Sequence, residues 1–299
     1  MALLDFLFLG ETKELDDRTR ATLPGDFVPL SDGVTHYELN GPRDGPPVVL
    51  VHGFSVPYFI WDTTFAALAA AGFRVLRYDL YGRRYSDRPR LANNRALFAR
   101  QFIELLDALK LEQVDVVALS MGGVVAADLA ARHPQRLRKL VFVDPAGFDL
   151  GLPWPVKLLN IPLVGEFLLG VLGRLGQNTL LDSIAADFFD PPEGLWESYK
   201  RDYLAAMQFK GFKRSILSTL REGMLEEDLD LYRGLAASRL PTQLFWGEHD
   251  KTVPYRHAQR FCELVPQTEF HSVASARHIQ HIERPETVHR LMIDFLNRS

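Results

Sequence analysis

Cysteine is nearly absent from this sequence of 299 residues, in which Cys262 is the single example. One thiol cannot form an internal disulfide, so the fold depends on its hydrophobic core and suits a reducing compartment. We therefore expect a cytoplasmic protein. An excess of positive charge is also missing, because 34 basic residues stand against 38 acidic ones. That balance gives no reason to expect a nucleic-acid partner.

Long apolar runs are absent as well. The apolar N-terminal segment, residues 1–10, carries Asp5 and is far shorter than the roughly 20 residues that span a bilayer. It has no basic n-region and no small-residue cleavage site after it, so we expect neither a transmembrane segment nor a secretory signal. The simplest interpretation is a short helix packed on the protein's own body. A weak membrane-surface contact or a homodimer contact through this segment is the alternative.

Strand and helix patterns alternate along most of the chain. An antiparallel strand pair is predicted first, and continuous apolar runs then predict buried strands with helical patterns between them. The predicted strands cover residues 26–30, 34–39, 48–51, 73–79, 114–119, 140–144, 242–247 and 268–273. The predicted helices cover residues 61–71, 93–109, 256–264 and 285–296, with one more directly after Ser120. This order predicts an α/β fold, in which helices flank both faces of a mostly parallel sheet.

The alternation stops between residues 148 and 240, where helical patterns rich in large apolar side chains dominate. We interpret this stretch as an insertion over the carboxyl edge of the sheet, where open α/β sheets bind ligands. The expected organisation is a core of residues 1–147 and 241–299 with a helical cap (lid) of residues 148–240.

Ser120 is the first candidate for chemistry. It lies between a buried strand and a helix, with small residues two positions before it (Ala118) and two positions after it (Gly122). A strand that turns directly into a helix crowds its own backbone, and it holds the central hydroxyl clear of the sheet beside free N–H groups. The pattern is typical of a nucleophile.

A serine nucleophile needs a base, an acid and an oxyanion hole. His278 follows the last strand and is the expected base, with His281 as the neighbouring alternative. Asp250 and Asp144 each follow a strand at the same sheet edge, and either one is a candidate for the acid. The backbone N–H groups of Met121 and Phe54 are the expected oxyanion donors, because Gly53 leaves room for a substrate carbonyl.

Six short motifs occur in an order that resembles the α/β-hydrolase superfamily of serine esterases and lipases. They begin at His52 (HGF), Tyr78 (YDLYG), Ser86 (SDRP), Leu119 (LSMGG), Trp246 (WGEHD) and His278 (HIQHIERPE). The resemblance covers nearly the whole chain, and the chain order Ser, Asp, His fits it. It implies that Ser120, Asp250 and His278 form the catalytic triad and that residues 148–240 are the cap.

Three residues depart from the family pattern, namely Ala118, Arg84 and Arg277, each at a position where relatives often have glycine. We expect the two arginines to place a cation near the site or its rim. The arginine-rich loop around Arg84, residues 80–90, is otherwise expected to be charged and solvated. His278 and His281 with Glu283 imitate a metal-binding pattern, but no further ligands occur at a recognisable spacing, so no metal or cofactor is expected.

These observations predict a serine hydrolase that cleaves carboxylic esters of small to medium, largely apolar substrates through an acyl-enzyme. Another serine-triad activity is the alternative, namely hydrolysis of a carbon–carbon bond, a haloperoxidase-like reaction or peptidase activity. A non-enzymatic receptor that binds a small ligand on the same fold is an alternative from a different functional class.

Overall fold

The computed structural model describes residues 8, 10–151, 154–172, 181, 184–191 and 193–298. Within this part of the chain, eight strands form one sheet. They are β1 (Asp26–Leu30), β2 (Gly33–Asn40), β3 (Pro47–Val51), β4 (Arg74–Tyr78), β5 (Val114–Leu119), β6 (Leu137–Val143), β7 (Thr242–Gly247) and β8 (Thr268–Val273). Their order across the sheet is β1-β2-β4-β3-β5-β6-β7-β8. β2 pairs antiparallel with β1 and β4, and the other neighbours are parallel, so the predicted sheet is confirmed.

Helices connect most of these strands. The described α-helices are α1 (Asp17–Arg20), α2 (Asp62–Ala70), α3 (Arg95–Ala108), α4 (Met121–Arg132), α5 (Trp154–Lys157), α6 (Val164–Phe167), α7 (Leu195–Ala206), α8 (Phe212–Arg221), α9 (Leu229–Ser238), α10 (His257–Leu264), α11 (Gln280–Glu283) and α12 (Pro285–Asn297). Short 3₁₀ turns cover Tyr58–Trp61, Pro134–Arg136 and Leu158–Asn160, and Leu168–Leu172 form a π-helix. Each predicted helix is present within two residues of its expected ends.

The central strands are buried on both faces. Side chains alternate in direction along a strand, so neighbouring residues enter different layers. In β3, Val49 and Val51 join one core cluster together with α3 and α4, whereas Val48 and Leu50 join a second cluster with α2 and α12. This double burial explains why the strands have continuous apolar sequences rather than alternating ones.

The segment between β6 and β7, called here the β6–β7 segment, contains α5 to α9 among its described residues. Its last helix, α9, packs against α4 and contributes Leu231, Tyr232 and Leu235 to the first core cluster. By contrast, Tyr199 and Tyr203 of α7 join the second cluster. The extent of the cap, residues 148–240, stays a prediction. Because α9 packs with the core, its position argues for a cap that ends before α9.

The N-terminal segment lies outside the described residues except for Phe8 and Gly10. The predicted helix there, and its membrane or dimer contact, therefore stay predictions. Directly after it, the Glu11 carboxylate accepts hydrogen bonds from the N–H groups of Gly211 and Lys213, both at 2.6 Å. In the part of the chain that is described, no helix has the length and the apolar composition needed to cross a bilayer.

Candidate active site

Ser120 lies at the tight turn between β5 and α4. Its φ of 53° and ψ of −121° are rare for a residue with a side chain, and such strain persists only where the surroundings enforce it. The carbonyl of Ser120 accepts hydrogen bonds from Gly123 N–H at 2.8 Å and Ala146 N–H at 3.0 Å. These bonds fix the backbone of the turn, and Ser120 itself is buried.

Glycine is required after Ser120 because α4 begins against the end of β3. A Cβ atom at Gly122 would lie 2.4 Å from the carbonyl oxygen of Val51 and 2.7 Å from that of His52. On the other side of the serine, Ala118 is fully buried and its methyl group packs in the first core cluster. The departure from glycine at position 118 therefore fills core space.

His278 and Asp250 are brought together at the same sheet edge, beyond the carboxyl ends of β8 and β7. Nδ1 of His278 lies 2.8 Å from Oδ2 of Asp250. The other carboxylate oxygen of Asp250 accepts the N–H groups of Thr252 at 2.8 Å and Val253 at 3.0 Å. Both side chains are buried. The loop of Asp250 thus holds one carboxylate oxygen, while the other oxygen contacts the imidazole.

The electrostatic surroundings of His278 favour its protonated form. Burial opposes the charge, but the carboxylates of Asp250 and Asp187 outweigh burial and raise the pKa of the imidazole above its ordinary value. Asp187 belongs to the β6–β7 segment, and Thr252 Oγ1 donates a hydrogen bond to it. Burial raises the pKa of Asp187 itself to about 6. No sequence pattern had singled out this residue.

Asp144, the alternative acid, makes different contacts. Its Oδ1 accepts the N–H of Gly247 at 3.0 Å, and the structure gives it no direct hydrogen bond to His278. The alternative base, His281, places Nε2 at 3.1 Å from the carbonyl of Ile60. Burial lowers the pKa of His281 to about 3, so this ring is neutral and structural.

The loop after β3 carries the predicted oxyanion donor Phe54. His52 is buried and neutral, since burial lowers its pKa to about 4. Its Nε2 accepts the N–H of Leu80 at 2.9 Å, so its Nδ1–H donates to the Gly53 carbonyl at 2.9 Å. Among the described residues, no protein group accepts a hydrogen bond from the N–H of Phe54 or Met121. Both donors are therefore available to an oxyanion beside Ser120.

The prediction of a solvated arginine loop is wrong for Arg83, which is fully buried. Its Nε donates to the Phe54 carbonyl at 2.8 Å, Nη1 to the Tyr81 carbonyl at 3.0 Å, and Nη2 to Thr219 Oγ1 at 3.0 Å. Within the described chain it forms no ion pair with a carboxylate. Burial lowers the pKa of Arg83 to about 9. Nothing in the sequence indicated its burial, because acidic residues are interleaved with the arginines of this loop; Arg83 contacts the loop after β3 through the Phe54 carbonyl.

Arg84, the departure from the family pattern in this loop, is half-buried and its guanidinium lies over three aromatic rings. The distances from its Cζ to the ring centroids are 5.2 Å for Tyr58, 4.9 Å for Phe59 and 4.7 Å for Tyr85. These contacts have the geometry of cation–π interactions. Arg84 therefore serves the packing of the loop.

Arg277 and Glu283 connect the loop of His278 to the β6–β7 segment. Nη1 of Arg277 donates to the carbonyls of Ala186 at 3.2 Å and Phe188 at 2.7 Å. The buried Glu283 carboxylate accepts the N–H of Arg277 at 2.9 Å, that of Asp190 at 3.0 Å and that of Phe189. Glu283 thus accepts hydrogen bonds from the backbone of both the His278 loop and the β6–β7 segment. The sequence had suggested only a metal-binding pattern for this residue.

The residues of that metal pattern are engaged elsewhere, as the contacts of His281 and Glu283 show. In the described part of the chain, Asp144, Asp250 and His278 place one oxygen or nitrogen atom each within 4.8 Å of one another. Asp250 and His278 bond directly, so we interpret this group as a hydrogen-bonded Asp250–His278 pair with Asp144 beside it.

A family model of the α/β-hydrolase fold matches residues 46–285, which is most of the chain. The chain belongs to the α/β-hydrolase family. This α/β-hydrolase is 27% identical over 272 residues to carboxylesterase YbfK from Bacillus subtilis (strain 168), covering 90% of this chain and 86% of that protein. It is 26% identical over 280 residues to the 2-hydroxy-6-oxo-6-phenylhexa-2,4-dienoate hydrolase of Comamonas testosteroni, covering 90% and 93%.

Solved structures agree with the family assignment. A hydrolase from Pseudomonas aeruginosa PA01 superposes with a TM-score of 0.76 at 23% identity, covering 91% of this chain and 98% of that one. An esterase from Exiguobacterium antarcticum gives 0.77 at 20% identity, covering 92% and 100%. At these identities the likeness concerns the fold. The superfamily membership and the fold class expected from the sequence are confirmed, and the coarse activity is that of a hydrolase.

Proposed function

We propose that this α/β-hydrolase is a serine hydrolase that cleaves carboxylic esters through an acyl-enzyme. The observation that carries the proposal is the 2.8 Å bond between His278 and a backbone-fixed Asp250, at the sheet edge where Ser120 forms a strained turn. This arrangement supports His278 as the base that activates the serine hydroxyl and Asp250 as the acid that orients His278.

In the proposed mechanism, Ser120 Oγ attacks the ester carbonyl while Nε2 of His278 accepts its proton. Asp250 holds the proton on Nδ1 and stabilises the imidazolium. The N–H groups of Phe54 and Met121 bind the oxyanion, an interaction worth about 3 kcal/mol per donor. His278 then protonates the leaving alcohol, and water releases the acid from Ser120 by the same steps. No cofactor or metal takes part in these steps.

We further propose that residues 148–240 act as the cap and select the acyl and alcohol groups. Support comes from Phe188, Tyr199 and Tyr203, which pack with Phe59 of the core in the second cluster. We expect apolar side chains of this cap to face the substrate as well, which favours small to medium, largely apolar esters. The single cysteine supports the reducing cytoplasm as the site of action.

A panel of chromogenic esters with graded acyl and alcohol sizes tests the activity. We expect multiple turnovers with the native protein and essentially none with Ser120→Ala. The matched control is Ser238→Ala, because the Ser238 hydroxyl bonds to the nearby backbone of Leu235 and Leu240 at the end of α9. Substantial turnover by Ser120→Ala would refute the assignment, and a single turnover by the native protein would favour a receptor.

Hydrolysis of a carbon–carbon bond is the second candidate, because the Comamonas testosteroni relative matches almost as closely as the carboxylesterase. The substrate named for that relative, 2-hydroxy-6-oxo-6-phenylhexa-2,4-dienoate, is the direct probe. If kcat/KM for this compound exceeds that for every ester of the panel, the carbon–carbon activity replaces our first choice.

A further inference from the structure

The acid end of the proposed triad contains a second carboxyl group, Asp144. It follows β6 in a left-handed backbone conformation, with φ of 41°, and it is fully buried. Its N–H donates to the Phe245 carbonyl at 3.1 Å, and its Oδ1 accepts the Gly247 N–H at 3.0 Å. Its Oδ2 is buried, and no donor among the described residues bonds to it. One half of this carboxyl group therefore lacks the donors that a buried negative charge needs.

Asp144, Asp250 and His278 place their polar atoms within 4.8 Å of one another. Two buried carboxyl groups this close repel each other when both are charged, so a single proton held between them relieves the repulsion. Asp250 already receives hydrogen bonds from Thr252 N–H, Val253 N–H and the His278 ring. Asp250 thus receives two backbone N–H groups and the His278 ring, whereas Asp144 receives a single backbone N–H, so the negative charge belongs on Asp250 and the proton on Asp144.

We propose that Asp144 is a neutral carboxylic acid that donates a hydrogen bond to Asp250 and thereby positions Asp250 against His278. The role rests on the proposed serine-triad function, and it makes Asp144 a positioning residue. It also explains why two candidate acids occupy one sheet edge: one acts as the charged partner of the base, and the other keeps that charge in place.

The balance of the groups around this carboxyl favours a neutral Asp144. Burial and the nearby charge of Asp250 raise the pKa of Asp144 well above its ordinary value. The Gln280 side chain of α11 and the Gly247 N–H act in the opposite direction, but burial and the charge of Asp250 outweigh them. Asp187 of the β6–β7 segment adds a further carboxylate near Asp250 and His278. The loop of His278 also carries Arg277, whose guanidinium bonds to the carbonyls of Ala186 and Phe188.

The experiment compares Asp144→Asn and Asp144→Ala by kcat/KM against pH, using the best ester. An asparagine amide donates to Asp250 and keeps an oxygen for Gly247, whereas alanine does neither. We expect the asparagine variant to retain about tenfold more kcat than the alanine variant, as the loss of one hydrogen bond to a charged group predicts. Asp250→Asn, the same isosteric change at the charged partner, should abolish turnover.

The acid limb of the pH profile reports the charge of Asp144. If Asp144 is neutral, Asp144→Asn leaves the midpoint for His278 unchanged. If Asp144 is ionised, its replacement removes a negative charge near His278 and lowers that midpoint, which would overturn the proposal. Equal kcat for the asparagine and alanine variants would overturn it as well, because rescue by asparagine is the signature of hydrogen-bond donation.

Infrared difference spectroscopy provides a readout that does not depend on turnover. The native protein should show the C=O stretch of a protonated carboxylic acid at neutral pH, and Asp144→Asn should lack that band. Ser120→Ala should keep it. Failure of the ester assay with the band present would refute the proposed function alone, whereas a missing band in active native protein would refute the role of Asp144.

Discussion

Gly122 offers the sharpest test of how the turn at Ser120 is built. A Cβ atom at this position would lie 2.4 Å from the Val51 carbonyl oxygen, about 1 Å inside the normal contact distance of about 3.3 Å. The obstacle is backbone, so no side-chain rotation relieves it. In Gly122→Ala, α4 and the end of β3 must therefore move apart by about 1 Å.

The cost follows from this displacement. Overpacking of a rigid core costs about 1–3 kcal/mol, and the upper end applies here because two carbonyl groups are hit. With about 2 °C per kcal/mol for a large domain, we expect Gly122→Ala to lower Tm by about 6 °C. The end of β3 also leads into Phe54, and a 1 Å misplacement of an oxyanion donor is expected to lower kcat by about 100-fold.

Ala118→Gly is the matched control on the other side of the serine. It removes a buried methyl group and adds chain entropy, which together cost about 1–2 kcal/mol without moving the backbone. Urea unfolding gives both free energies of unfolding, and ester turnover gives both kcat values. If Gly122→Ala is as stable and as active as Ala118→Gly, the steric account of the turn is wrong.

Three further predictions concern the surroundings of the site. His278 must be neutral to accept a proton, and its pKa lies above the ordinary value of about 6.5, so kcat/KM should fall with decreasing pH through a midpoint above 6.5. The stability from its pairing with Asp250 has the opposite sign: it is complete below about pH 6.5 and is lost as pH rises through the raised pKa. Arg83→Met should lower the free energy of unfolding by about 3 kcal/mol or more and lower kcat, because three acceptors, including the Phe54 carbonyl, lose their donor; a variant as stable and active as native protein would contradict this. Glu283→Gln should lower kcat and increase proteolysis near residue 189, since one acceptor oxygen is lost, whereas the exposed Glu286→Gln should do neither; equal behaviour of the two variants would exclude the link.

Much of the fold followed from the sequence because its signals are local. Continuous apolar runs identified the buried strands, and Asn94 caps α3 where the periodicity begins, with its side chain accepting the Leu97 N–H at 3.1 Å. The small residues around Ser120 indicated the turn for a steric reason that the clash at Gly122 makes explicit. Crowding within a turn depends on the sizes of neighbouring residues, so the sequence can reveal it.

Neighbouring residues in the sequence do not show whether a charged residue is buried. The sequence around Arg83 is that of a solvated loop, and we expected this arginine to be exposed. Its burial is accompanied by a hydrogen bond to Thr219, which is 136 residues away. Asp187 and Glu283 likewise gain their roles from contacts across the boundary of the β6–β7 segment. Periodicity and motif spacing carry no information about such partners.

The sequence by itself determined the class of fold, the strand and helix order, and the serine, histidine and aspartate candidates for chemistry. It left Asp144 and Asp250 as competing acids, because both follow parallel strands and reach the same edge. Only the tertiary structure shows that their surroundings differ: Asp250 receives two backbone N–H groups and the His278 ring, whereas Asp144 receives a single backbone N–H. The charge that a buried carboxyl can carry depends on how many donors surround it, and donors are counted in space, not along the chain.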